Sequence, residues 1–191
     1  MPSPQIPQSD QPVFDNYGLF TPSWFTYFQG IYKAIRSALK IKLSGILNIN
    51  TTAVSNTSTG ETDLITYSLM KNTLVNNGDY LEIDAWGIYA ANGNNKTVKL
   101  YFGNQTILDT GAIAANSGTW SIKAKIIRKS NSTQEIVAEI LSNNSSVSDS
   151  AIRTAGTQDL TTDLTIKCTG TGGASSDITE EALAIKLTPY D

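Results

Sequence analysis

The chain has no histidine and a single cysteine, Cys168. Ser-His and Cys-His nucleophiles and the usual Cys/His zinc sites are therefore excluded. Paired carboxylates are the remaining catalytic option. Glu82 and Asp84 stand two apart in an alternating run, so they share one face of a strand, whereas the adjacent Glu180 and Glu181 point opposite ways. A glycoside hydrolase needs two carboxyls about 5–10 Å apart flanking a sugar cleft. Glu82 and Asp84 meet that spacing, but so do two acids on a solvated outer face, which is the reading adopted.

Calcium would suit Asn-rich loops bearing Asp63, Asp79 or Asp109, yet no Asp-x-Asp-x-Asn-Gly loop occurs, and no metal or cofactor is expected. Gly170-Thr171-Gly172-Gly173 lacks the Lys and Ser/Thr of a phosphate loop and leads through Ala174-Ser175-Ser176-Asp177 toward another strand, so it reads as a flexible turn. Sugar binding has better material in Trp86, Tyr89, Tyr101 and Tyr67 among Asn and Asp residues. Trp86 alternates opposite to Ile83 and Ala85 and so shares a face with Glu82 and Asp84. Such a face either contacts a ligand or forms a second core buried between copies, and the second is preferred. Trp86, Asn92, Asn94 and Asn95 are the candidate receptor contacts, on or beside the loops 92–95 and 169–176.

Composition narrows the class. The chain has 191 residues, 40% hydrophobic but only 16% charged, with a net charge of -3. That length suits one compact domain plus an appendage. Asn, Ser and Thr replace the missing charge, giving an uncharged polar exterior. Cys168 lies in the alternating run 164–168 and reads as a small buried hydrophobe. The first residues carry neither a basic region nor an apolar core, so no secretory signal peptide is expected, and no apolar run approaches the roughly 20 residues that cross a bilayer.

Three segments separate along the chain. Residues 1–20 form a Pro- and Gln-rich arm, extended by Pro2, Pro4, Pro7 and Pro12. It ends in Val13, Phe14, Tyr17, Leu19 and Phe20, too apolar for a free tail. Residues 21–43 predict an amphipathic helix, with Thr21 as N-cap and Pro22 in the first turn. Trp24, Phe28, Ile31, Tyr32, Ile35 and Leu39 form its apolar stripe, widened by Phe25 and Tyr27. Lys33, Arg36 and Lys40 fall on the other side, a solvated face rather than a nucleic-acid site. The candidate docking and assembly residues are thus Phe14, Tyr17, Phe20, Trp24, Phe25, Phe28, Ile31, Tyr32 and Ile35.

Residues 44–59 read as a linker with a short strand at 46–49. From residue 60 to the end the period changes to 2. Strands are predicted at 63–70, 80–90, 97–102, 119–128, 134–141, 160–168 and 181–187, with Asn- and Gly-rich turns between them. Short strands at this spacing predict a mostly β protein: an antiparallel jelly-roll-like β-sandwich preceded by one aromatic helix and an extended arm.

Residues 60–69, 77–83, 90–103, 116–120 and 163–185 resemble the β-domain of tailed-bacteriophage and prophage virion structural proteins. The segment Thr21-Pro22-Ser23-Trp24-Phe25-Thr26-Tyr27-Phe28 resembles the aromatic helix that precedes such domains. The resemblance implies a non-enzymatic head or tail fibre, decoration protein or adaptor, located in the virion, made in the host cytoplasm and often trimeric. The expected partners are its own copies and the capsid, portal or tail; the alternative reading, a receptor-binding lectin-like module, adds a host surface glycan. The charge distribution and the lack of a long apolar run imply no nucleic acid and no membrane insertion.

Overall fold

The computed structural model describes residues 13, 24, 26–28, 31 and 45–190. The chain divides into two compact units, Met1–Lys42 and Leu43–Asp191. In the first, Trp24, Thr26, Tyr27, Phe28 and Ile31 are helical. The ring of Trp24 lies 5.7 Å from Tyr27 and 5.8 Å from Phe28, the residues three and four further along the helix, and those two rings are 5.7 Å apart. Phe14, Tyr17, Phe20, Phe25, Tyr32 and Ile35, the extended arm and the basic face of the helix lie outside the described residues.

The second unit is an antiparallel β-sandwich of eleven strands: β1 (Gly45–Asn50), β2 (Val54–Ser55), β3 (Thr62–Leu69), β4 (Tyr80–Tyr89), β5 (Thr97–Phe102), β6 (Gln105–Asp109), β7 (Thr119–Arg128), β8 (Gln134–Ser142), β9 (Ser150–Gly156), β10 (Leu164–Thr171) and β11 (Ile178–Thr188). The larger sheet runs β1-β11-β4-β7-β8-β9, with β2 also on β11, and the smaller runs β3-β10-β5-β6. The chain alternates between the sheets: β10 returns between β3 and β5, and β11 returns between β1 and β4. That winding is jelly-roll-like, with the β8–β9 hairpin added to one edge of the larger sheet.

Alternation sets the core. Leu81, Ile83 and Ala85 of β4 and Trp120, Ile122, Ala124 and Ile126 of β7 meet Val98, Leu100 and Phe102 of β5 and Ile166 and Cys168 of β10, all buried. Each such large aliphatic side chain contributes about 1.5–3 kcal/mol relative to exposure. At the edge of the larger sheet, β9 is exposed along most of its length and touches the smaller sheet where Gln105 of β6 donates to the Ala155 carbonyl.

The sandwich begins earlier than the sequence predicts. Residues 44–59 contain β1, paired along β11 from Gly45↔Leu187 to Asn50↔Leu183, and β2, paired at Thr179↔Ser55. Asn56, read as linker, is buried. Strands β2, β6 and β9 lie outside the predicted ranges, since none carries a clean alternation: β9 places Ala151, Ile152 and Ala155 in exposed positions.

Candidate functional site

The strands run between two ends. At one, the loops after β2, β4, β6, β8 and β10 converge; at the other, β1 begins beside Leu187 near the close of β11. The 10 residues of β4 span the distance between them, about 30 Å at a strand's rise.

Loops 90–96 and 172–177, distant in sequence, are tied together at the first end. Asp177 is buried. Its Oδ1 accepts from Asn92 Nδ2 at 2.7 Å, and its Oδ2 accepts from Asn94 Nδ2 at 3.0 Å and the Ala174 N–H at 2.8 Å. Burial alone would raise its carboxyl, but those three donors and the nearby Lys96 charge bring it below the usual range.

Lys96, fully buried, places its ammonium among neutral oxygens: Asn92 O at 3.1 Å, Asn92 Oδ1 at 2.8 Å, Asn94 O at 3.1 Å and Ala115 O at 2.7 Å. Asn56 pins loop 172–177 from beneath. Its side chain donates to Ala174 O and accepts from the Ile178 N–H, and its carbonyl accepts from the Ser176 N–H. Gly172 permits this closeness, because a Cβ there would sit 2.6 Å from Cβ of Asp177.

Of the candidate receptor contacts, Asn92 and Asn94 are therefore half-buried members of this network, while Asn95 is exposed beside Gly93. Ala174, Ser175 and Ser176 are exposed on the neighbouring loop. Trp86 is elsewhere, on the outer face of the larger sheet, 41% exposed and followed on that face by Ile88. The aromatic set does not assemble into one platform. Tyr89 points inward and is 3% exposed, against the sequence expectation of a surface ring. Tyr67 packs partly against the core, and Tyr101 donates to Glu61 from the outer face of the smaller sheet.

Glu82 and Asp84 do share a face. On the larger sheet's outer surface Lys186, Glu82 and Lys125 form one cross-strand row, and Asp84, Lys123 and Glu139 the next. Glu82 Oε2 accepts from Lys186 Nζ at 3.1 Å, and Oε1 lies 3.9 Å from Lys125 Nζ. These rows line a shallow groove with Val137. Opposite charges set directly across neighbouring strands stitch them together, each pair contributing about 0.2–1 kcal/mol. The arrangement is that of an ion-pair ladder, in which Glu82 already has two ammonium partners.

Three features were missed in the sequence. Lys96 and Asp177 read as loop residues. Glu180 is fully buried, accepts at Oε2 from the Ile65 N–H at 2.7 Å, and leaves Oε1 without a hydrogen-bond partner among the described residues. Burial pushes its carboxyl up to about 8, against the pull of the Ile65 N–H and the Cys168 thiol. Cys168 is buried as expected, and its thiol is raised by burial and then by Glu180. The register shift between Glu180 and Ala182 is what turns Glu180 inward. Among the described residues no group of three or more Cys, Asp or Glu gathers to hold a metal ion, and no helix is long and apolar enough to cross a membrane.

No family model matches the chain, and neither a curated protein nor a solved structure does.

Proposed function

We propose that the chain is a non-enzymatic structural protein of a bacteriophage virion, of fibre, decoration or adaptor type. Residues 1–43 anchor it to capsid, portal or tail and to its own copies, and the sandwich is displayed outward. The observation that carries this reading is polarity: the chain enters β1 at the end of the sandwich opposite the five converging loops. Exposed Ile46 and Ile49 on edge strand β1, with Trp86 and Ile88 on the same sheet, support assembly into a homo-oligomer, a trimer in this reading.

A second reading, a lectin-like module that contacts a host glycan, is favoured by the convergence of loops 92–95 and 172–177. It is compatible with the first. Particles should be prepared with full-length chain and with a chain starting at residue 45, and light scattering should compare the two in solution. The shortened chain should be absent from particles and lower in oligomeric order, yet keep any glycan binding. Incorporation of the shortened chain at the wild-type level would overturn the anchoring role.

A further inference from the structure

We propose that the loop end of the sandwich is a cation site whose resident cation is the chain's own Lys96 ammonium. The site is of the monovalent, alkylammonium class, and it holds the loops without a divalent metal. This goes beyond the functional reading above and does not depend on it.

The donor set carries the inference. Buried lysines are rare unless paired with an acid. Lys96 is 0% exposed, and among the described residues no carboxylate lies among the oxygens its ammonium contacts. Instead three backbone carbonyls and one amide oxygen surround Nζ at 2.7 to 3.1 Å. Carbonyl and amide oxygens in a loop are the ligands that hard cations take. Three N–H bonds shared among four acceptors satisfy the ammonium completely.

The negative charge sits one layer out. Asp177 holds the Nδ2 groups of Asn92 and Asn94, the two residues that also present oxygens to Lys96. Carboxylate, asparagines and ammonium thus form two concentric layers: the Asn92 amide dipole is aligned between the charges, while Asn94 bridges them through its side-chain Nδ2 and its backbone carbonyl. The layers span three loops, since Ala115 belongs to the β6–β7 connection and Asp177 to the β10–β11 connection. The Lys96 backbone adds a bridge to the middle loop through mutual hydrogen bonds with Ile113, at 2.8 and 2.9 Å. Removing the ammonium would leave a small, oxygen-lined cage with a buried carboxylate behind it.

The test uses the full-length chain. In wild type, nitrogen-detected NMR of lysine ammonium groups should show one NH3+ in slow exchange with solvent, lost in Lys96→Met. Lys96→Ala should lower the melting temperature by roughly 10 °C. Millimolar n-propylammonium, which supplies the deleted atoms, should restore most of that loss, whereas n-propanol and tetramethylammonium should not. Should Lys96→Ala fail to fold, the wild-type ammonium signal still decides. The proposal is overturned if no slowly exchanging ammonium appears, if Lys96→Met melts with wild type, or if propylammonium does not rescue a folded Lys96→Ala. It is also overturned if EDTA lowers the wild-type melting temperature, since a divalent ion would then be holding the loops. An intact mass short by one ammonia would overturn it too, because Nζ and the Asn92 side chain would then be joined as an amide.

Discussion

Asn92 and Asp177, 85 positions apart, are joined by a 2.7 Å hydrogen bond from the amide Nδ2 to the carboxylate Oδ1. That contact fastens the β4–β5 loop to the β10–β11 loop, each of which crosses between the two sheets. Surface loops are commonly the least stable parts of a domain. Here a buried carboxylate with three donors makes the loop end part of the folded core.

Asp177→Asn tests that role. The substitution keeps the volume but removes the charge, and sets an amide NH2 against existing N–H donors. Loss of about 3–5 kcal/mol of stability is expected, against less than about 0.5 kcal/mol for Ser175→Ala on the exposed part of the same loop. Urea unfolding measures both. Equal stability in the two variants would mean that the loops are held by their backbone bonds alone.

The pH dependence of stability should be set by two glutamates of opposite character. For Glu180, burial raises the folded-state value from 4.5 to about 8. Below 4.5 it is protonated in folded and unfolded chains alike. As pH rises toward 8 the unfolded chain sheds the proton that the folded chain keeps, so stability falls by several kcal/mol across that window. For Glu61, burial pushes upward but is outweighed by hydrogen bonds from Tyr101, Lys99 and Thr169, leaving a value of about 2. Its stabilisation is complete above 4.5 and is lost as pH falls toward 2. Unfolding free energies should therefore peak at about pH 5, and Glu180→Gln should flatten the alkaline limb while leaving the acid limb intact. A wild-type curve that keeps rising from about pH 5 to pH 8 would contradict the assignment.

Gly87 should be intolerant of any side chain. It lies in one register row between Glu180 on β11 and Trp120 on β7. An added Cβ would sit 1.9 Å from the Thr179 carbonyl oxygen and 2.7 Å from the Trp120 ring, where neither backbone nor indole can yield cheaply. Gly87→Ala should cost more than about 3 kcal/mol, readable as a lowered urea midpoint with altered fluorescence of the buried Trp120. A neutral result would show that the bulge beside Glu180 relaxes freely.

Much of the sandwich is legible from alternation. In β7, Trp120, Ile122, Ala124 and Ile126 are buried while Lys123, Lys125 and Ile127 are exposed, as a period of two requires. The shared face of Glu82, Asp84 and Trp86 follows from the same rule. The rule fails where pairing is irregular or one-sided. β1 carries a bulge between Ile46 and Asn48 and reads as a strand only over its middle, 46–49, while β9 is exposed over most of its length and shows no alternation. Tyr89 looks like a surface ring by type, but its parity along β4 places it inside.

The amino-acid sequence by itself determined the strand class, the faces of the regular strands, the polar turns and the absence of histidine chemistry. These follow from local spacing and composition, which act over a few residues. The tertiary structure alone decided that Asp177 meets Asn92 and Asn94, that Lys96 is enclosed by carbonyls from two loops, and that a bulge turns Glu180 into the core. Each depends on which strand lies beside which. A repeat of two residues specifies a face but not a neighbour, so the crossing of the chain between the two sheets brought these residues together.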